Sequence, residues 1–228
     1  MLTRTDDEIA GWYPVRILKL ENYLNKYIQP GTEYTGISIL KKDLAYNLQY
    51  LEFQNRIIQD IKLSSVLYTQ TIKAIVLIGC SIVESLLHYS IAKVGVRSTV
   101  EWKDKVTFKG NQKNLDGELV RINTTIQTKL SQPEFIHMTL DSMIKKAKSH
   151  SILGSRPQIY RMLENLRKLR NRIHLQPDIR KRGTDWTTFD TTILNETYVV
   201  MYAILTSSLF HPTALEIEYF SYLDVTFG

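Results

Sequence analysis

The chain has 228 residues, of which 43% are apolar and 23% charged, ordinary globular proportions that exclude intrinsic disorder and a collagen-like fibre. A single cysteine, Cys80, excludes an intrachain disulfide, and no Cys/His cluster at zinc spacing accompanies it, so thiolate and metal chemistry are poor expectations. The net charge of +6 points to an anionic partner. Its placement says more: between Lys145 and Arg182 stand twelve basic residues against the acids Glu164 and Asp178, a local +10 that leaves the remainder at −4. Such asymmetry is the electrostatic footprint of phosphate binding.

The N-terminal MLTRTDDEIAGW is charged at once and lacks a signal-peptide pattern, which makes reducing cytoplasm the expected compartment. Residues 1–65 read as a helical extension. WYPVRILKLENYLNKYI is interrupted at Gln29-Pro30-Gly31, and amphipathic periodicity resumes from Ile37 to Ile61. Next comes the most hydrophobic stretch, with 19 residues between Lys73 and Lys93 and only Glu84 and His88 among them able to carry charge near neutral pH. It is long enough to span a bilayer, but a central Glu84 would cost about 2.5–3.5 kcal/mol there, and Ser81, Ser85, Ser90 and His88 add to it. A central helix of a soluble bundle, with no membrane partner, is expected.

Around residues 97–130 the pattern becomes β-branched and partly alternating, with a polar NQKNLDG between its halves, which predicts a β-hairpin or irregular insert. Helical periodicity returns in LDSMIKKAKSH and in PQIYRMLENLRKLRNRIHLQ, which Pro177 ends. DIRKRGTDW is a basic loop, and Thr188 to about Phe210 is the last strong helix. The bundle therefore occupies 66–212, with a short aromatic tail over 213–228. P-loop, dinucleotide, HExxH and GxSxG signatures are absent, and no cofactor is implied.

The informative segment is LRKLRNRIHLQ, residues 166–176. On a helix advancing about 100° per residue, Arg170, Arg167 and Asn171 fall within about 60° of His174, whereas Ile159, Met162, Leu166, Leu169 and Ile173 form a stripe beside them. A permanent guanidinium charge next to an imidazole that titrates near neutrality suits phosphodiester cleavage. Arginine would hold the phosphate, His174 would move a proton and Asn171 would orient a neighbour. Glu84, a carboxylate inside an apolar helix, needs a partner, and a guanidinium of this motif would serve.

An apolar helix with an internal glutamate (SIVESLLHY), then a helix ending LRKLRNRIHLQP, a basic loop and a closing helix resemble the HEPN superfamily over about Thr69 to Phe210. The resemblance implies a mainly α, HEPN-like helical bundle whose hallmark is Arg, four to six residues, then His, often with Asn after the Arg. Arg170-Asn171 supplies the dipeptide but leaves three residues before His174, while Arg167 leaves six; either arginine could be the working one. The resemblance also implies a metal-independent endoribonuclease that activates the RNA 2′-hydroxyl and leaves a 2′,3′-cyclic phosphate, in stress, toxin or anti-phage defence. A homodimeric cleft would double the charge and provide both an acid and a base; an antitoxin or regulatory protein is a further expected partner. Lys168, Arg172, Arg180, Lys181 and Arg182 are the expected RNA contacts. Where a toxin branch of the family carries a modified Tyr two residues after the His, this chain has Gln176. The alternative is a non-catalytic RNA-binding or protein-interaction module on the same scaffold.

Overall fold

A computed structural model describes residues 12–29, 36–171 and 185–225. It is mainly helical. Helices α1 (Ile17–Tyr27) and α2 (Ile37–Asp60) lead into the 29-residue α3 (Ser65–Lys93). Ser64 starts α3 by accepting the Leu67 N–H on its side chain, which satisfies one of the otherwise unpaired donors of the first turn. After the insert come α4 (Leu140–Ser149), α5 (Pro157–Arg170), a single turn α6 (Asp185–Thr188) and α7 (Thr191–Leu205). Thr139 caps α4 and Asp190 caps α7 through the Ile193 N–H at 3.0 Å. Pro157 stands in the first turn of α5, where its missing N–H costs nothing. The chain closes with α8 (Ala214–Ile217) and a 3₁₀ turn, Glu218–Leu223.

α3 is the axis of the bundle and packs against α2, α4, α5 and α7. Ile72, Ile75, Val76, Leu86, Leu87 and Ile91 on it are wholly buried, and each such side chain contributes about 1.5–3 kcal/mol relative to exposure. The helix passes the length and apolarity test for a membrane span, yet most of its apolar window is buried among the other helices. Leu20, Leu24, Leu48 and Leu51 from α1 and α2, and Phe220 and Leu223 from the tail, belong to the same core.

Tyrosines tie these segments together. Tyr23 donates to the Leu205 carbonyl at the end of α7, Tyr222 donates to Leu48 O at 3.2 Å, and Tyr198 donates to Asn55 Oδ1 at 3.0 Å. Each buries a ring while pairing its hydroxyl.

The insert is a two-stranded antiparallel ribbon, β1 (Thr99–Lys109) with β4 (Asn123–Phe135), extended at its tip by β2 (Lys113–Leu115) and β3 (Glu118–Val120). Its tip turns on Asp116-Gly117, both with positive φ, the geometry that matches strand twist in two-residue hairpins. The ribbon runs to Phe135, five residues past the expected end near 130. Pro133 accounts for the difference. It cannot donate to a ladder, and the register shifts between Val100 and Trp102 so that β4 bulges around it and pairing resumes at Glu134 and Phe135.

Candidate functional site

α5 ends beside α3. Its Ile159, Met162, Leu166 and Leu169 are buried, as the apolar stripe requires, and this orientation turns Arg167 and Arg170 toward the neighbouring helices at the edge of the core. Arg170 Nη2 lies 2.7 Å from Glu84 Oε2, with the two side chains 39% and 23% exposed. The carboxylate embedded in the apolar helix therefore has the guanidinium partner expected for it. A bridge this open contributes only about 0–1 kcal/mol to stability. Its larger effect is to hold the guanidinium in one place.

Arg167 stands on the same side of α5, with Nε 3.3 Å from Asp141 Oδ1 on α4. That contact is an ion pair without hydrogen-bond alignment, and the buried Nε has no hydrogen-bond acceptor. Lys145 makes the closer contact to Asp141, 2.7 Å. Its hydrogen bond is the main cause that holds the Asp141 carboxyl below the usual carboxylate range, outweighing partial desolvation, with the Arg167 charge adding to it. The two arginines thus bracket α5 against the two helices in front of it, Arg170 against α3 and Arg167 against α4.

Between α3 and the start of α4 lies a cleft of about 300 Å³ lined by Ser81, Glu84, Ser85, His88, His137, Met138 and Met143. Met138 and Met143 are buried and form its floor. Burial, followed by the charges of Arg97 and His137, holds the His88 imidazole below its ordinary pKa of 6.5. Beneath this wall Cys80 donates its S–H to the Leu166 carbonyl at 3.6 Å. Burial is the main cause that pushes its thiol up to about 12, so it is not a nucleophile at neutral pH. Among the described residues no group of three His, Cys, Asp or Glu is placed to hold a metal ion.

Asn171 is exposed and forms the C-cap of α5 at φ −70°, ψ −10°. Lys168 is exposed one turn earlier, and Lys148, Arg156 and Arg161 are exposed as well. The expected continuation of the helix to Gln176, and with it His174, Arg172, Arg180, Lys181 and Arg182, lies outside the described residues. The structure thus brings together Glu84 and Arg170, and sets Arg167 against Asp141 of α4.

It also adds two imidazoles the motif did not include. Ser81, Glu84, Ser85 and His88 stand at i, i+3, i+4 and i+7 of α3, a polar stripe on an otherwise apolar helix, and this spacing is the signal for the cleft. No sequence signal marks His137, which joins it only through the approach of α4. The chain matches no family model, no curated protein and no solved structure.

Proposed function

We propose that this protein is a metal-independent endoribonuclease of the HEPN type that cleaves RNA by attack of a 2′-hydroxyl. It acts in the cytoplasm as a homodimer, in bacterial stress, toxin or anti-phage defence, and is restrained by an antitoxin or regulatory protein. The observation that supports this reading best is the Glu84–Arg170 pair, in which a carboxylate that lines the cleft holds a permanent positive charge of the basic segment 2.7 Å away. A preorganised guanidinium stabilises the charge that develops on the phosphate oxygens during displacement, an effect commonly worth about 100–1000-fold in rate for a single donor. In this reading Arg167 is the second phosphate contact, His174 transfers the proton and Asn171 orients it. Lys168, Arg172, Arg180, Lys181 and Arg182 track the RNA backbone. Dependence on the 2′-hydroxyl makes DNA a ligand at most.

Incubation of the purified protein with total and transfer RNA in EDTA tests the assignment. Arg170→Ala and His174→Ala are expected to lose at least about 100-fold in cleavage with an unchanged helical spectrum. Activity retained in both variants overturns the reading.

A second reading is a non-catalytic RNA-binding module. The observation favouring it is that both arginines of the motif, Arg170 and Arg167, already face carboxylates of their own chain, Glu84 and Asp141. It predicts salt-sensitive RNA binding with no cyclic-phosphate product.

A further inference from the structure

The ribbon of β1 and β4 is solvated on both faces, and its charge is distributed unevenly along its length. Its shaft, residues 103–113 going out and 121–129 returning, carries Lys103, Lys105, Lys109, Lys113, Arg121 and Lys129 against the single acid Asp104, a net +5. The ribbon's other acids stand at its root, Glu101 and Glu134, or at its tip, Asp116 and Glu118. All six cations are exposed, and among the described residues none of them is held in an ion pair. Asp104 is engaged across the strands, accepting from Gln127 Nε2 at 2.7 Å. Two aromatic rings stand among these charges, Trp102 at 51% and Phe108 at 55% exposure. The register sets one on each face. Trp102 is opposite Lys129 and Phe108 opposite Thr124. Those partners are five residues apart on β4, where successive side chains alternate, so the slip between Asp104 and Val106 turns Phe108 away from the Trp102 face. The ribbon is only two strands, about 5 Å, across, and lysines of either face reach a chain that crosses its edge.

We propose that the ribbon shaft binds single-stranded nucleic acid, which in the nuclease reading is the RNA substrate. Its cations lie along the phosphates, and Trp102 and Phe108 each stack on a base. A row of positive charge combined with aromatic platforms is how proteins hold unpaired nucleotides without reading their sequence. A duplex keeps its base faces stacked inside and offers the rings nothing. An acidic polypeptide matches the charge but brings no planar partner, and an anionic bilayer meets the acidic tip, Asp116 and Glu118, first. The root of the ribbon ties this arm to the helices: the Ile136 N–H donates to the Ser98 carbonyl at 3.0 Å, and Lys146 Nζ of α4 donates to Ser98 Oγ at 3.1 Å. His137, which lines the cleft, follows the end of β4 by two residues. A strand held on the shaft is therefore tethered at the rim of the cleft, and the arm supplies affinity that the basic segment does not. Binding by the ribbon does not depend on cleavage.

The test is fluorescence anisotropy of a labelled 2′-O-methyl oligouridylate of about 12 nucleotides, which lacks the reactive hydroxyl, titrated in EDTA with the full chain over a range of salt concentrations. Trp102→Ala and Phe108→Ala are each expected to weaken binding at least about fivefold, and Trp102→Phe to retain most of the affinity. Replacing Lys105, Lys109 and Lys129 together by Gln is expected to lower the slope of log K against log salt by about 2. No residue of the shaft belongs to the core, so all these variants are expected to keep the wild-type helical spectrum. Wild-type affinity in both alanine variants or an unchanged salt slope in the triple variant overturns the proposal. So does competition by a duplex, by polyglutamate or by phosphatidylserine vesicles that equals competition by the unlabelled single strand. RNA cleavage by the same proteins separates the two claims. If the variants bind as wild type does while wild type cuts RNA, the proposal fails and the nuclease reading stands. If wild type binds through the ribbon but leaves RNA intact, that reading fails and the binding site stands.

Discussion

At the scale of single residues, stability and activity are expected to separate at Glu84. Its bridge to Arg170 is partly exposed, so Glu84→Gln, which keeps the shape and removes the charge, is expected to cost less than about 1 kcal/mol in a denaturant midpoint. The same change frees the Arg170 guanidinium. Since a displacement of about 1 Å in a phosphate-positioning group can cost about 100-fold, cleavage is expected to fall by 10- to 100-fold in that variant. A loss of activity that merely follows a large loss of stability would make Glu84 a structural residue alone. The reason for this pairing was readable in the amino-acid order, because a carboxylate inside SIVESLLHY has to be paired, hydrogen-bonded or protonated. Which arginine it finds was not, since Arg167 and Arg170 share one helical face and differ only in the neighbour each meets.

Among the secondary-structure elements, the crossing of α3 and α7 is tightly constrained. A Cβ placed on Gly79 would stand 2.6 Å from Thr197 Cγ2 and 3.1 Å from Met201 Sδ. Gly79→Val is therefore expected to destabilise the fold by about 1–3 kcal/mol through overpacking, despite the poor helix propensity of glycine; a thermal midpoint equal to wild type would show that the helices can separate there. The helices themselves were legible because strong signals delimit them: Gln29-Pro30-Gly31 before α2, and Gly154 and Pro157 before α5. Boundaries set by hydrogen bonding were less so. The last long helix starts at Thr191 and not at Thr188 because Asp190 turns its carboxylate onto the Ile193 N–H. The ribbon outruns its β-branched pattern because a bulge absorbs Pro133. Residues 213–228 read as a tail with scattered aromatics, but Phe220 and Leu223 are wholly buried, a placement that depends on the groove left by α1, α2 and α7. The cleft was half legible: its α3 wall is a spacing, whereas its opposite wall is a tertiary contact.

In the molecule as a whole, the first and last segments are joined by Glu216, which accepts from Lys26 Nζ at 2.9 Å, Tyr27 OH at 2.7 Å and the Thr213 N–H at 2.8 Å. Partial desolvation raises its pKa, but these hydrogen bonds outweigh it and hold the carboxyl at about 2 against an ordinary 4.5. A carboxyl more acidic in the folded than in the unfolded chain stabilises the fold above its unfolded pKa and loses that contribution as pH falls through its folded one. Wild type is thus expected to lose stability between pH 4.5 and about 2, and Glu216→Gln to show a shallower decline over that window; identical slopes would place the acid sensitivity elsewhere. The ribbon stands apart from this network: nearly every residue of β1 and β4 is exposed, and none of its residues belongs to the buried core or lines the cleft. The most direct measurement is end-group analysis of RNA incubated in EDTA with wild type and with Arg170→Ala. The account predicts fragments bearing 2′,3′-cyclic phosphate and 5′-hydroxyl ends from the first and intact RNA from the second. Fragments formed equally by both proteins, or none from wild type, would contradict it.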